Sequence, residues 1–409
     1  MLRRNLAPRI VAATRDTPVV LLHGARQTGK STLVKQVGGT ARAYVTLDET
    51  TALAAASHDG ASFLESFDGP VVLDEVQRAP GLFTAIKASV DRDRTPGRYL
   101  LTGSANVPLV PRVSESLAGR VEILTLWPLS QGEIDGRSER FIDAVFGARA
   151  PRGPKTERSG GSLGERILAG GYPEPLARKD AARRGAWFES YLTTVLQRDV
   201  RELANIDGLT ELPRLLALLA SRTAGLLNFA DLSRGLSMPQ STLKRYFALL
   251  ESTFLVVLVP AWSTNMGLRL TKAPKLMLAD TGLACHVLGM SVPRMKTDTN
   301  MRGALLENFV AMELTKQLTW SETRARLFHF RTTAGREVDL VLEDSAGRIV
   351  GIEVKAAGSV GDDDFRGLRA LQEAAGDRFH RGIVLHDGEE GIQFAPQLMA
   401  APLDWLWRV

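Results

Sequence analysis

Residues 24–31 read Gly24-Ala25-Arg26-Gln27-Thr28-Gly29-Lys30-Ser31, followed by Thr32. The apolar run Val19-Val20-Leu21-Leu22 lies ahead of them and the helix-like STLVKQV behind. The string satisfies G-x-x-x-x-G-K-[ST], and its flanks give it a physical meaning. A buried strand that feeds a glycine-rich turn and then a helix aims backbone N–H groups and a helix N-terminus at phosphate oxygens. In this reading residues 24–32 cradle the phosphates of a nucleotide. Lys30 reaches the β- and γ-phosphates, and Ser31 binds Mg²⁺.

Working outward, three more strand-like runs end in polar residues. Tyr44-Val45-Thr46-Leu47 ends at Asp48, Pro70-Val71-Val72-Leu73 at Asp74-Glu75, and Arg98-Tyr99-Leu100-Leu101-Thr102 at Gly103-Ser104. Helix-like patterns such as GLFTAIKASVDR at 81–92 lie between them. This alternation predicts a parallel α/β sheet with its ligand at the carboxyl ends of the strands. Asp74, ending a buried strand, is placed to hold Mg²⁺ through its water shell, and Glu75 to polarise an attacking water. Ser104 and Asn106, at the next strand end, are candidates for touching the γ-phosphate or that water. Arg120, in SLAGRVEIL, is the candidate for stabilising charge on the transferring phosphoryl group of a neighbouring subunit.

The chain has 409 residues, too many for one ordinary domain, and its 44% apolar content is that of a globular protein. No apolar run approaches bilayer length. The start, MLRRNLAPRIVAATRD, has no signal-peptide core. The single cysteine, Cys285, excludes a disulfide framework and a cysteine-rich zinc site. A cytoplasmic protein with no membrane partner is the expectation. A net charge of +5 and a pI near 9.4 permit contact with a phosphate backbone without requiring it.

GARQTGKST, VVLDEVQR, LLTGSAN and SLAGR in this order resemble the AAA+-type ATPase module of a prokaryotic family that carries a C-terminal DUF4143 domain. YLTTVLQRDVREL at 191–203, with its Arg198-Asp199 pair, extends the likeness over nearly the whole chain. The resemblance implies ATP binding and hydrolysis with Mg²⁺, Asp74 and Glu75 as the Walker B pair, a sensor-like Ser104 or Asn106, and Arg120 as an arginine finger in a homo-oligomer.

Residues 147–164 are rich in Gly, Pro, Ser and Arg and read as a linker or surface loop. Beyond it a long helix is expected from about Ala181 to Leu203. Residues 212–260 suggest a helix-turn-helix. LPRLLALLASRT forms one helix, and FADLSRGLSMPQSTLKRYFALLEST forms two, with a break around Ser237-Met238-Pro239. Ser237 or its neighbour is expected to cap the third helix. Lys244 and Arg245 on its exposed side are the candidate contacts to DNA, with FLVVLVPAW and KLMLAD as wings.

Farther along, GREVDLVLEDSAGRIVGIEVKAAG alternates apolar and polar residues about a turn at 344–347. It predicts a hairpin with one well-buried face. Glu353 and Lys355 share the other face, and folding back brings Asp339 within about one register step of Glu353. Upstream, GALLENFVAMELTKQL reads as an amphipathic helix with Glu307 in its first turns. Carboxylates so placed can hold Mg²⁺, and a lysine can activate water. The set Glu307, Asp339, Glu353 and Lys355 resembles the PD-(D/E)xK nuclease-like fold, except that Val338 stands where that family has Pro. Cys285 and His286 read as packing residues, and Trp405 and Trp407 as core.

The expected architecture is therefore α/β. It comprises a P-loop parallel-sheet ATPase domain (1–150), a helical and winged-helix-like region (165–295) and a nuclease-like α/β domain (296–409). Two functions remain open on these residues. One is an ATPase that couples turnover to DNA binding or processing. The other is a nucleotide-dependent switch that binds a protein partner or DNA without cutting it.

Overall fold

Five parallel strands carry the first third of the chain in the computed structural model, which describes residues 2–104, 117–155, 162–199 and 211–409. Asn106 and the side chains of Arg198 and Asp199 lie outside the described residues. The strands are β1 (Val19–Gly24), β2 (Ala43–Thr46), β3 (Val71–Asp74), β4 (Tyr99–Ser104) and β5 (Val121–Thr125), in the order β2-β3-β4-β1-β5. Every neighbouring pair is parallel. Their continuous apolar runs suit a sheet covered on both faces. Val19 and Leu21 point into one layer with Leu73, Ile86 and Leu101. Val20 and Leu22 point into the other with Leu6, Ile10, Leu33 and Val34. Each such buried side chain contributes roughly 1.5–3 kcal/mol. From β1 the chain runs to the far edge, steps back through β3 and β4, and crosses to β5. The order therefore reverses at β1, opening a crevice at the carboxyl ends of β1 and β4.

Three helices follow, Leu212–Ala220, Phe229–Leu236 and Gln240–Ser252, and then an antiparallel pair, β6 (Val256–Val259) and β7 (Lys275–Leu278). Leu226 bridges to Lys275, adding a short third lane. Asn228 caps the second helix, accepting from the N–H groups of Ala230 and Asp231 at 3.1 Å each. Ser237 does not cap the third helix. It closes the second in a left-handed conformation (φ 54°), and Pro239 precedes the third, which has no side-chain cap. The upstream helix is α-helical over Ala181–Thr194 and continues as a π-turn over Val195–Asp199.

The last region is a six-stranded sheet, β8 (Ala325–Arg331), β9 (Glu337–Asp344), β10 (Ile349–Lys355), β11 (Phe379–His386), β12 (Ile392–Ala395) and β13 (Leu398–Pro402). Its order is β12-β13-β11-β10-β9-β8. The β9–β10 hairpin forms as expected, but both its faces are buried. Leu340, Leu342, Val350 and Ile352 pack with the Thr299–Gln317 helix, while Val341 and Ile349 pack with Leu368 and Leu371 of the Arg366–Ala375 helix. The Thr299–Gln317 helix is not amphipathic. From Leu305 to Gln317 it buries polar Asn308, Glu313, Lys316 and Gln317 beside apolar Leu306, Phe309, Val310 and Leu314. Glu307 accordingly sits at its middle.

The same core takes in Phe141, Ile142, Val145 and Phe146, residues assigned by sequence to the first domain, together with Trp405 and Trp407. Cys285 is buried, and His286 stacks on Phe188 with ring centres 5.8 Å apart. The chain beyond β6 lies along the edge strand β8. Trp262 N–H donates to His329 O (2.6 Å), and His329 N–H donates to Pro260 O (2.9 Å). No helix among the described residues is long and apolar enough to cross a membrane.

Candidate nucleotide site and C-terminal carboxylate cluster

Between β1 and the Lys30–Gly38 helix, two glycines do work no other residue could. At Gly24 (φ 151°) a Cβ would lie 2.2 Å from Leu126 O, so β1 passes directly against the chain after β5. At Gly29 (φ 92°) a Cβ would meet nothing within 4 Å, leaving open space over the loop at the helix N-terminus. Lys30 Nζ donates to the carbonyls of Gly24 (3.0 Å) and Ala25 (2.8 Å), and Thr28 Oγ1 donates to Ala25 O (2.9 Å). Arg26 is half-buried, and Gln27 (φ 62°) and Thr32 are exposed. Arg4, absent from the expected set, braces the loop from behind. Its guanidinium donates to Thr28 O (2.8 Å) and Trp127 O (2.7 Å) and pairs with Glu133 (3.1 Å).

Asp74 ends β3 one strand away from the loop, with β4 between. Ser31 Oγ donates to its Oδ1 (3.1 Å), Tyr44 OH donates to its Oδ2 (2.6 Å), and Thr102 Oγ1 also donates to Oδ1. Burial and then Asp74 push the Tyr44 phenol above its ordinary pKa, so it remains a donor. Glu75 sits in the left-handed region (φ 59°, ψ 44°), a strained conformation for a side chain of its size. Ser104 Oγ donates to Glu75 Oε2 (3.0 Å). The Gln77 amide donates to that same oxygen and to Ser104 Oγ (2.8 Å). Ser31, Asp74, Glu75 and Ser104 are thus brought together as expected. Tyr44, Gln77 and Thr102 were missed, because their convergence depends on strand order.

Beneath the loop, His23 shares a hydrogen bond with Thr125 Oγ1 (2.9 Å). Burial, and secondarily Lys30, push its pKa down to about 4. Phe254 of the helical region meets both His23 and Trp127 edge-on, at 5.3 Å each. Arg120 lies at the opposite end of the sheet, since its carbonyl accepts from Val19 N–H at the start of β1 (3.2 Å). The length of β1, roughly 17–20 Å, separates it from the loop. Its guanidinium pairs with Asp91 (2.6 Å) and donates to Ala118 O (2.9 Å). The structure therefore does not bring Arg120 to its own chain's nucleotide site.

Residues 16–135 match the AAA domain family. Residues 161–294 and 302–406 match two domains of unknown function, DUF8612 and DUF4143. Uncharacterized proteins of Mycobacterium tuberculosis and Mycobacterium bovis are each 32% identical to this chain over 405 residues, 98% of this chain and 84% of theirs. The chain belongs to the AAA+-type P-loop ATPases with a C-terminal DUF4143 domain. Among solved structures, this AAA–DUF4143 protein is similar to a Walker-type ATPase of Pyrococcus abyssi, at 13% identity and a TM-score of 0.40 over 70% of this chain and 95% of that one. It is also similar to a RuvB variant of Thermotoga maritima, at 17% identity and a TM-score of 0.32 over 63% of this chain and 90% of that one.

In the DUF4143 region, the β9–β10 register ends with Ile352 opposite Leu340, one residue short of Glu353 and Asp339. Val354 N–H donates to Asp339 Oδ2 (2.9 Å), and Lys355 Nζ pairs with Glu353 (3.0 Å) and reaches Asp364 (3.9 Å). Glu307 joins them from the central helix, so all four expected residues converge. A fifth was missed. Lys275 Nζ, from β7, lies 2.6 Å from Glu307 and 3.5 Å from Asp339, with its side chain 6% exposed. Burial, with Asp339 adding to it, pushes Glu307 up to about 8 and Glu353 up to about 7. Burial alone would lower Lys275, but Glu307 and Asp339 outweigh it and hold the amine above its ordinary value. Glu307, Asp339 and Glu353 thus face Lys275 and Lys355, and the Glu307 and Glu353 carboxyls are shifted toward their protonated forms. As folded, the cluster does not fit a metal, because an ammonium fills the space between Glu307 and Asp339. Among the described residues no group of three or more Asp, Glu, His or Cys is arranged to hold one.

Lys244 and Arg245 are exposed on the third helix, the first 5.7 Å from the Phe229 ring centre and the second 5.8 Å from that of Tyr246.

Proposed function

We propose that this AAA–DUF4143 protein binds ATP with Mg²⁺, hydrolyses it, and couples the cycle to binding DNA. The observation that carries the ATPase reading is the convergence of Lys30, Ser31, Asp74, Glu75 and Ser104 at the carboxyl ends of β1, β3 and β4. Residues 24–32 would hold the phosphates through backbone N–H groups, with Lys30 leaving its loop carbonyls for the γ-phosphate. Ser31 and Asp74 suit Mg²⁺, which when bound would neutralise charge on the β- and γ-phosphates. Tyr44 and Thr102 keep the Asp74 carboxylate turned toward Ser31. Glu75, once free of Gln77 and Ser104, would accept a proton from the attacking water. The test is Glu75→Gln: it should still bind ATP while turnover falls by roughly two to three orders of magnitude. Wild-type turnover in that variant would sink the reading.

The DNA reading draws support from the helical region. Its three helices, the Leu226–Lys275 bridge and the β6–β7 pair follow winged-helix order, with Lys244 and Arg245 exposed on the third helix. The β6–β7 connection is engaged elsewhere: Arg269 pairs with Glu343 of the C-terminal sheet. The third helix is therefore the contacting element. Replacing Lys244 and Arg245 with Glu should weaken binding to a labelled duplex and reduce its salt slope by about 2. An unchanged slope would remove this element from any DNA contact. The Lys275 amine in the carboxylate cluster favours a nucleotide-dependent switch over strand cleavage.

A further inference from the structure

The carboxylates of the C-terminal cluster are already committed. Asp339 gives one oxygen to Lys275 and the other to Val354 N–H, Glu307 faces Lys275, and one oxygen of Glu353 faces Lys355. Only Glu353 Oε2 is buried there with no hydrogen-bond partner. A divalent cation needs oxygen ligands at about 2.0–2.6 Å, and between Glu307 and Asp339 it would press against the Lys275 ammonium. Like charges that close, in a buried site, repel strongly.

Lys275 is also fixed by its strand. Leu227 N–H donates to Pro274 O (2.9 Å), and Leu276 N–H donates to Gly225 O (2.9 Å). Two residues farther, Asn308 of the central helix acts as a substitute strand partner. Its Oδ1 accepts from Leu278 N–H (2.7 Å) and Thr223 Oγ1 (2.6 Å), and its Nδ2 donates to Leu278 O (2.9 Å). The backbone is clamped on both sides of Lys275, which fixes where its Cα stands beside the carboxylates.

We propose that Lys275 is the built-in cation of this cluster. It occupies the position a divalent metal would need and locks the β6–β7 pair of the helical region onto the C-terminal sheet. The cluster then serves as a buried joint and not as a metal-dependent nuclease centre. Together with the Arg269–Glu343 pair and the Trp262–His329 backbone contact, it makes the helix-turn-helix and the C-terminal sheet one mechanical body. The proposal stands apart from the ATP site and does not depend on turnover.

The experiment is Mn²⁺ binding to the full-length, nucleotide-free chain, followed by electron paramagnetic resonance. In the wild type, Asp339→Asn should leave the Mn²⁺ count unchanged. Lys275→Met removes the ammonium, so that Glu307, Asp339 and Glu353 must draw together around a cation to balance their charge; it should gain about one Mn²⁺ per chain, lost again on adding Asp339→Asn. A wild-type Mn²⁺ site that Asp339→Asn abolishes overturns the proposal. So does a folded Lys275→Met protein with no added site. Should Lys275→Met fail to fold alone, Mn²⁺ must restore its thermal transition, and absence of that rescue also counts against the proposal. Lys275→Arg, which keeps the charge, should fold and show no Mn²⁺ site, and a Mn²⁺ site in it overturns the proposal.

Discussion

Asp74 illustrates what a single side chain needs from its neighbours. Its carboxylate takes hydroxyl donors from Ser31, Tyr44 and Thr102, which come from three different elements. Tyr44→Phe removes one donor and little volume. Turnover should fall about tenfold with ATP binding retained, measured by steady-state assay beside nucleotide titration. Gly24→Ala is a backbone test. Its Cβ would sit 2.2 Å from Leu126 O, so it should lower stability by several kcal/mol in urea unfolding, about the upper range for single substitutions. Ser31 was legible in the sequence from the phosphate-loop string, and Asp74 and Glu75 from their place at the end of an apolar run. Tyr44, Thr102 and Gln77 were not, because a linear pattern does not say which strand lies beside which.

Among the elements, the Thr299–Gln317 helix shows where periodicity misleads. Its polar positions look like a solvent face, yet Asn308, Glu313 and Lys316 are buried and spend their hydrogen bonds on other elements. Glu313 accepts from Gln131 N–H (2.8 Å), and Lys316 donates to Leu129 O (3.0 Å). Asn308→Ala would leave Leu278 N–H and C=O and the Thr223 hydroxyl without their partner. That should cost about 2–4 kcal/mol in urea unfolding. A change below about 0.5 kcal/mol, as expected of a surface polar residue, would contradict this assignment. The β9–β10 hairpin was legible, since alternation and the turn at 344–347 define it. The cover on its second face, from the Arg366–Ala375 helix, was not.

At the scale of the whole molecule, Arg120 stands a strand's length from its own loop. If it serves a neighbour's nucleotide, subunits should complement one another. Lys30→Ala and Arg120→Ala proteins, each inactive alone, should recover turnover when mixed, because an intact loop then meets an intact arginine. No recovery at any mixing ratio would place Arg120 outside the reaction.

The stability of the fold should also depend on pH. Burial holds both His23 and His329 at about 4, so each is neutral in the fold near neutral pH. Below about 6.5 the unfolded chain binds protons on these two side chains that the folded one does not, so the stability they contribute is lost as pH falls from 6.5 toward 4. Each histidine contributes up to about 3 kcal/mol to that drop. His23→Gln should flatten the urea midpoint against pH over this window. An unchanged slope would mean that His23 is not buried neutral.

By itself the sequence determined that this protein carries a P-loop ATPase fold. A phosphate loop and a strand-end acidic pair are local patterns, in which a few adjacent residues carry both the backbone geometry and the charge. The carboxylates of the C-terminal cluster were legible for the same reason, as a hairpin and a helix. Only the tertiary structure decided what fills that cluster. Lys275 lies on a strand of another region, 32 positions before Glu307 and 64 before Asp339, with no local pattern to mark it. Whether buried carboxylates meet a metal or an ammonium depends on packing between regions, where burial makes an unpaired charge too costly to leave unmatched.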